Sequence, residues 1–226
     1  MFRHRVGMDI SGRSVLVYRW TVFVLAAGYC LYQMLFGAWT GPGGPFRYLT
    51  IWALFLSFYS ASRMLALSEK RITRRHEVTA MCAAVLNVMV VFLYWRLYLT
   101  DPALVNNGGP IVWWLEYYLH GLGPALQIID ALFVGAVFRR VWRGILPLMA
   151  IIALYVAWAE LFVQRFNERP TGSVTSGLPY PFLNSMELAD RSMFYLVNAG
   201  TALGLLVVFG VLGAILYRAM DRHRPA

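Results

Sequence analysis

His120 is a base placed where bases are rare. The chain holds four histidines, and three of them, His4, His76 and His223, lie in basic, water-facing stretches. His120 alone falls inside an apolar segment, Trp113-Trp114-Leu115-Glu116-Tyr117-Tyr118-Leu119-His120-Gly121-Leu122-Gly123-Pro124. An ionisable group at membrane depth is costly to keep there, which makes it a functional candidate by default. Imidazole is also the side-chain type whose ordinary pKa suits proton transfer near neutral pH. Pro124 follows four residues later and has no amide hydrogen, so the carbonyl of residue 120 loses its helical partner. With Gly121 and Gly123 in the same turn, the spacing predicts a helix broken at the histidine. Broken helices at such depth face protein or a wet cavity. On the residues alone, a buried, hydrogen-bonded histidine beside an ordinary proline kink fits equally well.

A base needs partners. Glu116 precedes His120 by four residues and shares its helix face. It either orients the imidazole or points to outer water. Hydroxyls of matching depth are the candidate nucleophiles. Ser57, Ser60 and Ser62 run progressively inward along one span, whereas Thr50 lies near its outer end. From spacing alone, Thr50 reads as a helix-end residue that bonds back to the backbone. No second histidine in a span and no HExxH or clustered carboxylate pattern suggests a metal, and no cofactor is expected. Asp130 and Glu160 read as contacts inside the bundle or partners for arginines.

These residues must be held by membrane helices. The 226-residue chain is 59% hydrophobic and only 14% charged, against about 25% charged in soluble domains. Six apolar runs, Val15–Phe36, Tyr48–Leu67, Val78–Thr100, Ile111–Phe138, Gly144–Val163 and Ser192–Arg218, each reach the ~20 residues needed to cross a ~30 Å hydrocarbon core. They are continuously apolar and do not alternate, which predicts helices rather than a barrel. The expectation is an all-α integral membrane protein, a single six-helix domain over residues 1–226.

The net charge of +9 does not call for nucleic acid, because its distribution follows the membrane. Basic residues cluster at Arg3, Arg5, Arg13 and Arg19, at Lys70, Arg71, Arg74 and Arg75, at Arg139, Arg140 and Arg143, and at Arg218, Arg222 and Arg224. The alternate loops carry only Arg47 and the dispersed Arg165, Arg169 and Arg191. That is the positive-inside pattern, with both termini cytoplasmic. His120 then lies roughly 13 Å into the membrane from the outer end of its span. The first run lacks a cleavage site and reads as a retained helix. Cys30 and Cys82 read as small core residues. Nineteen arginines to one lysine hint at a GC-rich bacterial genome and so at a bacterial inner membrane. Gly200 and Gly204 form a small-xxx-small pair, read as close packing inside the bundle. Between spans five and six, Leu178-Pro179-Tyr180-Pro181-Phe182-Leu183 is apolar, and its two prolines exclude a regular helix there. It would lie in the interface or fold back over the bundle.

Phe46-Arg47-Tyr48-Leu49-Thr50, His120 in its aromatic, glycine-flanked span, and Tyr180-Pro181-Phe182-Leu183 occur in that order. Together they resemble the androgen-induced-gene hydrolase family of small multi-spanning membrane proteins, over most of the chain. The resemblance implies a threonine hydrolase of fatty acid esters of hydroxy fatty acids. It assigns the nucleophile to Thr50 and the base to His120, and implies a cover or substrate contact at Tyr180, Pro181 and Phe182. Animal members carry an asparagine–histidine pair where this chain has Glu116 and Tyr117, a difference that bears on substrate choice. The implied partners are a lipid or fatty acid ester and the bilayer; the oligomeric state stays open. The alternatives are a non-catalytic lipid-binding or transport protein, and a proton-coupled transporter using His120, Asp130 and Glu160. The lack of an internal repeat counts against the latter.

Overall fold

The computed structural model describes residues 10–105, 112–167 and 177–222, and every regular element among them is helical. His4, His223, Arg3, Arg5, Arg169, Arg224 and Ile111 lie outside the described residues. Five helices are long and apolar enough to cross a membrane. They are α1 (Arg13–Phe36), α2 (Leu49–Ser68), α3 (Glu77–Thr100), α6 (Trp142–Trp158, continued by a π-helical turn over Ala159–Gln164) and α8 (Leu188–Arg222).

The fourth apolar run is built differently. It consists of α4 (Trp113–Tyr117), a π turn over Tyr118–Leu122, α5 (Gly123–Ile129) and a second π turn over Asp130–Val134. Over its described residues, 112–138, the run is therefore not one long helix. The interruption falls at the histidine, as Pro124 and its flanking glycines require. Pro124 stands within the first two residues of α5, where a missing N–H breaks little.

Helix α3 is the centre of the bundle. It packs against α2, α5, α6 and α8, and Ala83, Ala84 and Val85 on it are wholly buried. Its apolar residues run all the way round, as expected of a helix surrounded by others. By contrast α1 and α8 leave Val17, Val24, Leu31, Leu196, Val207 and Val211 exposed. Outward-facing apolar side chains suit hydrocarbon, not water. Cys30 and Cys82 are free thiols buried among apolar neighbours.

An ion pair ties α1 to the second π turn. Arg19 on α1 is 1% exposed. Its Nε and Nη2 donate to the two carboxylate oxygens of Asp130 at 3.2 and 2.7 Å, and its Nη1 donates to the Met64 carbonyl and Ser68 Oγ on α2. A buried charge this well surrounded is satisfied, and removing either partner strands the other.

Candidate active site

Thr50 stands in the first turn of α2, and the preceding loop aims it. Gly43 has φ +78°, and a Cβ there would come within 2.8 Å of Val163 Cγ2. Only glycine allows both that conformation and that approach. A 3-10 turn over Gly44–Arg47 follows, and α2 begins at Leu49. Arg47 is fully buried, donates to the Tyr48 hydroxyl at 2.7 Å and lies over the Tyr48 ring. Its carbonyl accepts the Tyr155 hydroxyl at 2.9 Å. The start of α2 is thus fixed to α6.

His120 is held from three directions. Its own backbone departs from helical geometry (φ −115°, ψ 16°). The carbonyl that Pro124 cannot serve accepts Trp95 Nε1–H from α3 at 2.8 Å. The ring of Tyr94, also on α3, stacks flat on the imidazole, with centroids 3.6 Å apart and planes 6° apart. The Tyr94 hydroxyl side reaches Glu116. Nδ1 of His120 lies 2.9 Å from Glu116 Oε2. Neither of those two atoms makes an in-line hydrogen bond, so the contact is a close carboxylate–imidazole approach. Glu116 therefore lies against the histidine, with 28% of its side chain exposed.

The other ring nitrogen meets the threonine. Thr50 Oγ1 lies 3.4 Å from His120 Nε2, although the residues are 70 apart in sequence. Direct proton transfer needs about 2.6–3.2 Å, and such contacts are often looser before substrate binds. With Nδ1 turned to a carboxylate, the neutral tautomer that carries its proton on Nδ1 leaves Nε2 free to accept from the hydroxyl.

Thr50, Glu116 and His120 line one cavity of about 220 Å³. Gln33 of α1, Tyr48, Tyr94 and Tyr180 also contribute to its wall. The Tyr180 segment folds back over the bundle. Leu178 and Leu183 are buried and pack with Ala159. Its prolines do not exclude a helix, as the sequence suggested. Pro181 opens a five-residue helix, α7 (Pro181–Ser185), at the position where proline is tolerated. Asn184 pins this cover. Its side chain accepts from Leu178 N–H at 3.0 Å and donates to the carbonyls of Leu178 and Tyr180. Phe182 stacks on Tyr180 with ring centroids 5.7 Å apart and does not line the cavity.

Three other polar residues that the sequence offers are engaged elsewhere. Asp130 belongs to Arg19. Glu160 takes both Nε and Nη2 of Arg191 at 2.9 and 3.0 Å, and the Tyr195 hydroxyl at 2.8 Å. Ser57 accepts from Asn87 at 2.7 Å. Gly200 and Gly204 do not mark close packing within the bundle, because a methyl group added at either would meet no neighbouring atom. They sit on the outward side of α8. Tyr94, Trp95 and Gln33 are not singled out by the sequence. For Trp95 a signal existed: an orphan carbonyl at membrane depth requires a donor, and tryptophan brings one with an apolar body.

The site defines a class: a helical membrane protein with a threonine hydroxyl facing a carboxylate-backed histidine inside the bundle. The model of the FAR-17a/AIG1-like protein family matches residues 15–214. The chain belongs to that family, the androgen-induced gene 1 family, and membership is consistent with a membrane hydrolase. Neither the curated proteins nor the solved structures yield a match.

Proposed function

We propose that this protein is a membrane-embedded threonine hydrolase that cleaves lipid esters, with fatty acid esters of hydroxy fatty acids as the substrate class. The observation that carries the reading is the 3.4 Å approach of Thr50 Oγ1 to His120 Nε2. A threonine hydroxyl is a weak nucleophile until a base takes its proton. Here Oγ1 attacks the ester carbonyl as its proton passes to Nε2. The tetrahedral adduct collapses to an acyl-threonine, and His120 returns the proton to the departing alkoxide. Water then attacks the acyl group. His120 takes the water's proton and delivers it to Oγ1, releasing the fatty acid. Glu116 holds the ring and stabilises the imidazolium that forms in each half-reaction. Tyr180, Pro181 and Phe182 form the cover.

In this reading the interrupted fourth run also crosses, which brings the single-domain bundle to six spans. Both termini are cytoplasmic, the site is in the outer half, and the membrane is a bacterial inner membrane. Proton-coupled transport through His120, Asp130 and Glu160 has little support, because both carboxylates are committed to arginines. The test is release of free fatty acid from such an ester by protein purified in micelles. Thr50→Ala and His120→Ala should each reduce it by about 10³-fold or more, as loss of a nucleophile or its base does. Tight lipid retention without turnover by the wild type would instead identify a lipid-binding protein.

A further inference from the structure

We infer that Gln33 is a substrate-binding residue of the site, and that its carboxamide donates to the carbonyl oxygen of the ester; this rests on the hydrolase reading above. The buried stripe of α1 runs Val15, Arg19, Val22, Ala26, Cys30 and Gln33, at three- and four-residue spacing. That is the face a helix turns to its bundle, and it is ordinarily apolar. Two members break the pattern. Arg19 meets Asp130. Gln33, in the last turn of the helix, is 8% exposed, and its carboxamide makes no hydrogen bond with a described residue. Room for it comes from Gly37, where a Cβ would stand 3.1 Å from Gln33 Oε1. A buried amide without a partner is costly, and a local rule broken with no structural return marks a functional position.

Gln33 lines the cavity that holds Thr50, Glu116 and His120. Most polar side chains of that wall are already engaged. Thr50, His120 and Glu116 meet one another, the Tyr94 hydroxyl bonds Glu116, and the Tyr48 hydroxyl accepts from Arg47. Among the described lining residues, that leaves Gln33 and the Tyr180 hydroxyl. Tyr180 belongs to the cover, whereas Gln33 is carried by a crossing helix that packs along α2, the helix of Thr50. The chemistry of Gln33 selects an uncharged oxygen. A carboxamide is a neutral donor, and no lysine or arginine is among the described residues lining the cavity. A substrate carboxylate there would lie near Glu116 with no counter-ion, which burial makes expensive. An ester carbonyl needs one donor and no charge, and it gives Gln33 the hydrogen bond that the protein does not.

Gln33→Leu keeps the bulk and removes the donor. Because the carboxamide bonds no described residue, the thermal midpoint should hold or rise, whereas kcat/KM for a fatty acid ester should fall about tenfold, the scale of one neutral hydrogen bond. A lower midpoint with unchanged kcat/KM would make Gln33 structural and overturn the assignment. A second readout needs no hydrolysis. It is the infrared carbonyl band of a long-chain ketone, isotope-labelled at the carbonyl, bound in micelles to Thr50→Val protein so that nothing adds to it. The band should lie at lower wavenumber than for the ketone in micelles alone. It should return to that position in Thr50→Val/Gln33→Leu and stay shifted in Thr50→Val/Tyr180→Phe. A band unshifted with Gln33 present, or still shifted without it, contradicts the proposal. A shift that depends on Gln33, in a protein that hydrolyses no ester, sinks the catalytic reading alone. Ester hydrolysis that is unaltered in Gln33→Leu sinks the Gln33 assignment alone.

Discussion

The indole N–H of Trp95 donates to the carbonyl of His120 at 2.8 Å, and it does so because Pro124 cannot. The proline frees a backbone acceptor in the middle of an apolar bundle, where an unmet carbonyl is costly. The tryptophan, one helix away, meets it. The same helix contributes Tyr94, stacked on the imidazole. Two consecutive residues of α3 thus fix both the backbone and the ring of the histidine, so the buried centre of the fold sets the position of Nε2.

Trp95→Phe keeps the aromatic bulk and removes the donor. The stranded carbonyl should cost about 1–3 kcal/mol, seen as a lower midpoint in thermal unfolding. Fatty acid release should fall mainly in kcat, because the substrate is not touched and the base is less well held. An unchanged midpoint together with unchanged kcat would show that the bond does not position His120.

Glu116→Gln tests the carboxylate behind the imidazole. Size and shape persist while the charge goes. Loss of the carboxylate that orients a catalytic histidine and stabilises its imidazolium costs up to about 10⁴-fold, and here the loss should appear in kcat with KM little altered. Steady-state kinetics showing a rise in KM alone would place Glu116 in substrate binding instead.

Arg19→Met leaves Asp130 as an unpaired buried carboxylate and should destabilise the bundle by about 3–5 kcal/mol. The double variant Arg19→Met/Asp130→Leu should recover much of that, since it removes the stranded charge. Thermal unfolding of the two variants decides it. A double variant no more stable than the single would mean that the pair gives more than mutual neutralisation.

Asn184→Leu removes three hydrogen bonds to the backbone of the cover, each with a net worth of about 0.5–1.5 kcal/mol. Limited proteolysis should cut near Tyr180 faster, and KM for a long-chain ester should rise while Thr50 remains reactive. Wild-type cleavage rates would show that buried Leu178 and Leu183 hold the segment by themselves.

Much of this is legible in the sequence, for identifiable reasons. The apolar runs report crossing helices because hydrocarbon leaves the backbone few alternatives. Pro124 reports the break at His120 because a proline removes a particular hydrogen bond. Asp130 and Glu160 were readable as partners for arginines. The pairing of Thr50 with His120 was not derivable from spacing, since it joins residues 70 positions apart; resemblance supplied it. The direction of Glu116 could not be read either, because a helix face is known from i and i+4 but not what it faces. Gly200 and Gly204 misled because small residues suit close packing and open surface alike. Pro179 and Pro181 misled because the second falls at a helix start, where proline is at home.

The central claim is that Thr50 is a nucleophile served by His120. Its most direct measurement is mass-spectrometric mapping of the site labelled by an alkyl fluorophosphonate on the purified protein. The account predicts one adduct on the peptide carrying Thr50, absent in Thr50→Ala and strongly reduced in His120→Ala. An adduct on another residue, or labelling that survives both substitutions, would contradict it.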